Sequence, residues 1–335
     1  MVTQADVAQL AGVSQRTVSN VVNGFPYVSA ELVRRVREAI AELNYAPSHA
    51  ARSLRSGRSR VIQLVVPELD VPYFAELARR VLRHAEDRGF GVMVRQTLGD
   101  RRRERESLEG SAADYAEGTI LSAVGSLAEV LPAGNTHPPI VLVGEQRGFG
   151  VVDHIGIDDV AAAECATGHL VACGRRRIAF VGADPDGSLR MAEMRLRGYR
   201  QALASADIPF DDDLVVRAVS YHRRDGEIAM EALLDLDRPP DGVFCATDLL
   251  ALGGLRCALR RGVDVPREMS FVGFDGLEEG EFSVPSLSTI APDKEELARM
   301  AVETLVSRIA DRAAGGDARD IPIPFRLVVR ESSRA

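Results

Sequence analysis

The chain has 335 residues, of which 46% are hydrophobic and 27% are charged, so its length and composition suit two or three globular domains with ordinary cores. This composition excludes a disordered, a fibrous and a disulfide-stapled protein. The net charge of -8 by itself argues against nucleic-acid binding, because phosphate contacts need positive charge.

The charge is distributed unevenly along the chain. The first 60 residues contain eight arginines and four acidic residues, a balance of +4, which leaves -12 for the remaining 275 residues. A small basic head therefore precedes an acidic body. The four cysteines lack CxxC spacing and are predicted to be free thiols. Because the sequence shows neither a signal peptide nor an apolar run of about 18 residues, we expect a cytoplasmic protein.

The head is predicted to form three short helices. Thr3 followed by Asp6 is a capping-box-like start for the first helix, and Gly12 can adopt the left-handed conformation that ends it. Ser14 caps a second helix after a turn so short that the two helices must cross steeply, as in a helix-turn-helix. Ser29 caps a third helix with apolar residues at helical spacing, so the three apolar faces can close one core.

The second helix presents a polar face that suits base recognition. Its valines point inward, which leaves Gln15, Arg16, Ser19 and Asn20 pointing outward. Arginine can bind guanine in the major groove, and glutamine or asparagine can bind adenine. The alternative is an exposed polar face on a small packing module, but the basic balance of the head favours DNA binding.

The head resembles the LacI family of bacterial transcriptional repressors. The matching segments are Asp6-Val7-Ala8, Ala11-Gly12-Val13-Ser14, Thr17-Val18-Ser19 and Val21-Val22-Asn23. The resemblance implies a helix-turn-helix DNA-binding domain over residues 1–46. It also implies that Gln15, Arg16 and Asn20 read the major groove, while Ser14, Thr17 and Ser19 meet phosphates or buttress the helix.

The segment Leu43-Asn44-Tyr45-Ala46-Pro47 continues the resemblance, and Pro47 can start a further short helix. The resemblance implies that residues 47–59 form a hinge helix and linker, which folds as a pair from two subunits on the minor groove. Leu54 matches the leucine that the family wedges into a base step, and Ala51 matches the small residue that lets the two helices approach. A plain linker with a buried leucine is the alternative.

From Val61 onward, apolar runs of strand length alternate with amphipathic stretches. This alternation predicts an α/β fold in which parallel sheets are covered by helices, and the number of runs favours two doubly wound lobes. The strand candidates are residues 61–66, 90–94, 118–121, 140–143, 178–182, 215–219, 242–245 and 270–274. Ligands of such folds bind beyond the carboxyl ends of the strands.

The residues beyond these strands are aromatic rings, hydroxyls, carboxylates and one arginine, which suit a polar small molecule. The candidates for effector binding are Tyr73, Phe74, Ser122, Glu145, Arg195, Tyr221, Thr247, Asp248 and Asp275. Each has a structural alternative: Arg195 could solvate a helix, and the two rings at Tyr73 and Phe74 could be core.

The body is similar to the LacI-type effector domain, itself similar to periplasmic sugar-binding proteins. The similarity implies that Arg195 and Asp275 bind the effector. It also places Tyr73, Phe74, Ser122 and Tyr221 at pocket positions. Two departures stand out: the family's Asn-Asp is Thr247-Asp248 here, and Glu145 follows a glycine where the family often has an aspartate. The identity of the effector therefore cannot be copied from a relative.

The resemblance implies an effector-binding and dimerisation domain over residues 60–335 with two discontinuous lobes. The first lobe is expected near 60–159 plus 290–321, and the second near 160–289 plus 322–335. Three crossovers would form a hinge, and closure around a ligand would change the dimer surface of the first lobe. No leucine heptads follow Arg326, which favours a dimer over a tetramer.

Enzyme functions have little support in the sequence. The chain has no GxGxxG, GxxxxGK[ST] or HExxH motif and no recognisable pair of nucleophile and base. Asp153, His154 and Asp158 could be imagined as a metal site, but hydrogen bonding within a polar loop is favoured. We expect no cofactor and no metal.

Together these features predict a DNA-binding transcriptional regulator, expected to be a repressor. It would bind a pseudo-palindromic operator as a homodimer, because symmetric dimers match symmetric half-sites. A small effector, with a sugar as the first candidate, would control it. The alternative of a different class is a cytoplasmic sugar-binding or sensor protein without operator specificity.

Overall fold

The structure is a computed structural model that describes residues 2–22, 25–45, 59–109, 115–124, 130–131, 138–145, 148, 150–184, 190–311 and 316–334. The chain divides into two compact units, Met1–Arg60 and Val61–Ala335. The predicted hinge helix, with Ala51 and Leu54, lies outside the described residues. None of the described helices is long and apolar enough to cross a membrane.

The first unit contains α1 (Gln4–Ala11), α2 (Gln15–Val22) and α3 (Ala30–Glu42). The predicted capping box is present: the Thr3 hydroxyl accepts from the Asp6 backbone, and the Asp6 carboxylate accepts from the Thr3 backbone at 2.7 Å. Gly12 ends α1 with a φ of +62°, and Ser29 caps α3. The predicted helix ends are therefore confirmed, because each is set by a local hydrogen bond or a backbone conformation.

The three helices share one small core. Its buried residues are Val7, Ala8, Ala11, Val18, Val36 and Ala39, drawn from all three helices. Arg35 on α3 also donates hydrogen bonds to the carbonyls of Ala11 and Gly12, so the third helix holds the turn between the first two. This arrangement fixes the orientation of α2.

The second unit contains both sheets. In chain order its elements are β1 (Val61–Val66), α4 (Pro72–Glu86), β2 (Gly91–Gln96), α5 (Arg101–Leu108), β3 (Thr119–Leu121), β4 (Ile140–Val143), β5 (Asp153–Gly156), α6 (Asp159–Ala172), β6 (Ile178–Ala183), α7 (Arg190–Ser205), β7 (Val215–Arg217), α8 (Arg223–Leu234), β8 (Gly242–Cys245), α9 (Asp248–Arg260), β9 (Ser270–Phe274), α10 (Glu278–Phe282), β10 (Ser288–Pro292), α11 (Lys294–Ala310), β11 (Asp320–Pro322) and β12 (Phe325–Val328).

The strands form two six-stranded sheets of matching topology. The first has the order β11-β5-β4-β3-β1-β2 and is entirely parallel. The second has the order β12-β10-β9-β8-β6-β7 and is parallel except for the antiparallel pair of β10 and β12. The predicted α/β fold with two doubly wound sheets is confirmed. In each sheet the strand order reverses beside its first strand, at β1 and at β6, where such folds bind ligands.

Each lobe has its own core. In the first lobe, Leu77 and Val81 of α4 and Val302 and Leu305 of α11 are buried against the sheet. In the second lobe the core is larger and contains aromatic rings, including Phe180, Tyr199 and Phe244. The ring of Phe180 lies 5.6 Å from that of Tyr199 and 5.5 Å from that of Phe244, within the range of favourable aromatic contacts.

The chain passes between the lobes three times: between β5 and α6, between β10 and α11, and between β11 and β12. The sequence places the second passage near residues 289–290, and in the structure β10 belongs to the second sheet as far as Pro292. The reason is that Pro292 still opposes Phe325 of β12 in the antiparallel ladder.

Candidate functional site

The polar face of α2 has the arrangement that the sequence predicts. Gln15 and Arg16 are exposed, while Val18 is buried in the core of the head. Ser14 caps the helix: its hydroxyl accepts from the Thr17 backbone at 3.1 Å and lies 3.0 Å from the Thr17 hydroxyl. Ser19 and Asn20 are partly buried and lie one turn after Gln15 and Arg16, so the four polar side chains are neighbours on one surface.

A cavity of about 440 Å³ opens at the carboxyl ends of both sheets, which is large enough for a small polar ligand. It is lined by residues that follow β1, β3, β4, β6, β7, β8 and β9. Eight of the nine predicted effector residues line it, namely Tyr73, Phe74, Ser122, Glu145, Arg195, Tyr221, Thr247 and Asp275. The two lobes thus bring together residues more than 200 positions apart in the chain.

Asp248 does not line the cavity, contrary to the prediction. It is fully buried, and its carboxylate accepts a hydrogen bond from the Leu277 backbone at 2.8 Å. Burial raises the pKa of this carboxyl. Thr247 precedes it as the cap of α9 and does face the cavity. Successive residues at a helix start point about 100° apart, so only one of the pair reaches the ligand space.

Arg195 on α7 lies at the centre of the site and is only 8% exposed. Its Nε donates to Oδ1 of Asp159 at 2.9 Å, and its Nη1 lies 3.9 Å from Oδ1 of Asp275. The same guanidinium donates to the Ala246 carbonyl and stacks on Phe274, with Cζ 3.4 Å from the ring centroid. Burial lowers the pKa of Arg195, but the surrounding carboxylates outweigh it and the net shift is upward. The arginine therefore stays charged and fixed in position.

A close helix contact positions Arg195. Gly198 follows it by one turn, and a Cβ at Gly198 would lie 2.2 Å from the Val160 carbonyl on α6. The missing side chain lets α7 approach α6 closely. At this distance Arg195 of α7 can hydrogen-bond Asp159, the first residue of α6. The Arg-Leu-Arg-Gly segment is thus explained by packing as well as by binding.

Burial perturbs the acids and phenols of the cavity. Burial, followed by the charge of Asp159, raises the pKa of Glu145 to about 7. Burial also raises the pKa of Asp275, against the opposing effect of Arg195, and raises the pKa values of Tyr73 and Tyr221. The phenols are therefore neutral donors, and the carboxyls can accept hydrogen bonds from ligand hydroxyls.

The Asp275 turn is held by a lysine that sequence reasoning missed. Asp275 has a φ of +123°, which is strained for a residue with a side chain. Lys294 Nζ donates to the carbonyls of Asp275 and Gly276 at 2.9 and 3.0 Å and pairs with Oε2 of Glu76 at 2.7 Å. Because Glu76 belongs to α4, this buried lysine joins the ligand turn of the second lobe to the ligand helix of the first.

Other lining residues were also missed, among them Asp159, Asp184 and Glu68. Glu68 Oε2 lies 3.0 Å from His222 Nε2, so it joins the two lobes beside the cavity. Their positions in the sequence could have indicated them, because Asp159, Asp184 and Glu68 each follow the carboxyl end of a strand, where ligands of this fold bind. The sequence drew attention to Asp158 instead, which the structure uses to cap α6.

The residues that were considered as a metal site have other partners. Arg308 donates to both carboxylate oxygens of Asp153, and His154 Nδ1 lies 2.6 Å from Asp320 Oδ1. Within the described ranges, no group of three or more His, Cys, Asp or Glu side chains is arranged to hold a metal ion.

Comparisons with known proteins cover both units. Residues 3–48 match the model of bacterial regulatory proteins of the lacI family, and residues 167–333 match a periplasmic binding protein-like domain. The ribose operon repressor of Haemophilus influenzae is 31% identical over 332 residues, which cover 99% of this chain and 98% of that protein.

Solved structures show the same relationship. The transcriptional regulator CelR in complex with cellobiose is 30% identical, with a TM-score of 0.72 over 99% of this chain and 100% of that one. The Lac repressor dimer bound to operator is 26% identical, with a TM-score of 0.86 over 100% of this chain and 99% of that one. The chain therefore belongs to the LacI family of bacterial DNA-binding transcriptional regulators.

Proposed function

We propose that this regulator is a repressor that binds a pseudo-palindromic operator as a homodimer, in the cytoplasm, under the control of a sugar held between its lobes. The observation that carries the proposal is the cavity itself, in which Arg195 and Asp275 from one lobe face Tyr73 and Phe74 from the other. A ligand that contacts both lobes favours one lobe arrangement over another, which is what control of DNA affinity requires.

A sugar fits the chemistry of this cavity. Carboxylates and a fixed guanidinium can hydrogen-bond adjacent hydroxyls, while aromatic rings cover the apolar face of a pyranose or furanose. The CelR–cellobiose complex gives a relative with a sugar ligand. A thermal-shift screen over neutral sugars tests the proposal, with Asp275→Asn as the binding-site variant. If an effector stabilises the variant as much as the parent, Asp275 does not contribute to effector binding.

The DNA-binding proposal assigns base contacts to Gln15, Arg16 and Asn20, and backbone or supporting contacts to Ser14, Thr17 and Ser19. Arg16→Ala is expected to reduce discrimination between operator and random DNA by about 1–3 kcal/mol, because a bidentate contact to guanine is lost. Arg34→Ala on α3 is the matched control, since Arg34 is exposed and pairs with Glu38. Gel shifts against genomic fragments supply the operator.

Two outcomes of the gel shifts would contradict the DNA-binding proposal. If Arg16→Ala weakens binding equally on operator and random DNA, Arg16 is a phosphate contact only. If the parent protein retains no discrete genomic sequence above random DNA, the protein is a sensor without operator specificity. For the hinge, we propose that Ala51 and Leu54 act as the resemblance implies, so Leu54→Ala should weaken operator binding through lost kinking.

The homodimer proposal has a surface in the second lobe to support it. Phe282 and Val284 are 75% and 85% exposed, an unusual exposure for large apolar side chains two residues apart. The Lac repressor relative is a dimer on its operator. Phe282→Asp combined with Val284→Asp should convert the dimer to a monomer in size-exclusion chromatography with light scattering. Val151→Asp, at another exposed valine, is the control. If the double variant remains a dimer, this surface is not the dimer interface.

A further inference from the structure

The described lining of the cavity carries more carboxyl groups than guanidinium groups. Among its described lining residues, five carry carboxyl groups, namely Glu68, Glu145, Asp159, Asp184 and Asp275, and two carry guanidinium groups, Arg101 and Arg195. Arg101 is exposed, so Arg195 is the buried cation at the centre of the site. Above the raised pKa values of Glu145 (about 7) and Asp275 (about 8), the ionised carboxyls make the electrostatic potential inside the cavity negative, and a buried site screens it less than water does.

Arg195 is already partly committed to protein partners, so a ligand can reach only its remaining N–H groups. Its Nε is bonded to Asp159, its Nη1 to the Ala246 carbonyl, and one face of the guanidinium lies on Phe274. An anionic ligand group that reached Arg195 would also come close to Asp275, whose carboxylate lies 3.9 Å from Nη1. The favourable interaction of the ligand anion with Arg195 would be offset by repulsion from ionised Asp159 and Asp275 beside it.

Glu145 adds a carboxyl that has no cationic partner among the described residues. It follows β4 at the carboxyl end of the first sheet and lines the cavity. Within the described parts of the chain, its side chain forms no ion pair with a basic residue, in contrast to Asp159, which binds Arg195. In its ionised form, above pH 7, the Glu145 carboxylate can accept a hydrogen bond from a ligand hydroxyl or ammonium group and repels a ligand phosphate or carboxylate.

We propose that the effector carries no negative charge and that Glu145 is the specificity residue that excludes anionic ligands, such as sugar phosphates and sugar acids. This inference rests on the proposed sugar-binding function and narrows it to neutral and amino sugars. Glu145 is placed for this role because it lines the cavity from the lobe opposite to Arg195 and Asp275.

A matched ligand panel tests the inference on the full-length protein. Each sugar is supplied in four forms, the neutral sugar, the amino sugar, the sugar acid and the sugar phosphate. The thermal shift is measured for each form at about pH 8.5, above the raised pKa values of Glu145 and Asp275. We expect the neutral or amino form of one sugar to stabilise the protein and its anionic forms to have no effect. Stabilisation by an anionic form equal to that by the neutral form would overturn the inference and leave sugar binding intact. Stabilisation by no member would overturn both.

Glu145→Gln identifies the residue responsible. Glutamine keeps the size of glutamate but lacks its charge and exchanges one acceptor oxygen for an NH2 donor, so the readout is the ratio of neutral to anionic affinity and not neutral-sugar binding itself. The ratio of neutral to anionic affinity should fall about ten- to a hundredfold, as expected for removing one unit charge a few ångströms from a buried ligand charge. Glu86→Gln, at an exposed position of α4, is the control and should leave the ratio unchanged. An unchanged ratio in Glu145→Gln would overturn the assignment to Glu145.

Discussion

Replacing Arg195 with methionine tests the electrostatic account of the effector site. Methionine occupies a similar volume and can remain in contact with Phe274, but it removes the cation between Asp159 and Asp275. Two buried carboxylates then lose their partner at once. Arg200→Met is the matched control, because Arg200 lies on the same helix but is exposed and contacts Phe210 at the surface.

The size of the effect follows from burial. Removing one member of a buried ion pair costs about 3–5 kcal/mol of unfolding free energy, because the remaining charge is left desolvated. Loss of the contact between Arg195 and Phe274 adds up to about 1–2 kcal/mol. Protonation limits the penalty, since burial already raises the pKa of Asp275 and removal of Arg195 raises it further. We therefore expect Arg195→Met to lose about 3 kcal/mol near pH 8.

The pH dependence has a definite sign. A carboxyl whose pKa is raised in the folded state binds a proton that the unfolded chain has released, so the unfolding free energy falls as pH rises through that interval. Asp275 already has a raised pKa in the parent, and loss of Arg195 raises it further, so the destabilisation of Arg195→Met relative to the parent should be larger at pH 8 than at pH 5. Urea unfolding followed by circular dichroism at both pH values measures it, with Arg200→Met expected to change stability by less than about 1 kcal/mol.

Two results would refute this reasoning. A loss below about 1 kcal/mol at pH 8 would mean that Asp159 and Asp275 are well solvated without Arg195. A loss that is larger at pH 5 than at pH 8 would have the wrong sign for buried carboxylates. In either case Arg195 would not be the cation that offsets two buried carboxyl groups, as the geometry describes.

Three further changes have expected outcomes. Glu145→Gln should be more stable than the parent at pH 8 by about 1–3 kcal/mol, because burial raises the Glu145 pKa to about 7. This gain in stability should vanish towards pH 5, where the folded parent already binds the proton. An equal gain at pH 8 and pH 5 would contradict a buried carboxyl at this position. Gly226→Ala should unfold at a lower urea concentration than the parent, since its Cβ would lie 2.0 Å from the Leu250 carbonyl. Gly168→Ala is the control: it has open space around it, so its unfolding free energy should rise by about 0.5–1 kcal/mol. Thr3→Ala should lower the stability of the head by about 1 kcal/mol in thermal unfolding, and no loss would mean that the capping box contributes nothing.

Local chemistry explains the parts of the molecule that the sequence predicts well. The ends of α1 and α3 follow from Thr3, Gly12 and Ser29, each of which acts within a few residues of itself. The alternation of strands and helices predicts two parallel sheets, and the rule that ligands bind at carboxyl ends places Arg195 and Asp275 in one cavity. These inferences succeed because they need only the chain order and the period of the elements.

The sequence-based predictions fail where packing decides which way a side chain points. Thr247 faces the cavity and Asp248 does not, while Asp159 binds Arg195 and Asp158 only caps a helix. Each pair sits at a strand–helix junction, where a shift of one residue turns the side chain by about 100°. No local pattern distinguishes the members of such a pair.

Lys294 shows the same limit over a longer range. Its sequence context is the first turn of a helix, yet it bonds the Asp275 turn and Glu76, which lie 19 and 218 residues away. The sequence by itself determined the family, the order of the elements and most of the residues around the cavity. Only the tertiary structure decided which acid pairs with Arg195 and which stays free, because a charge is neutralised by what lies near it in space rather than along the chain.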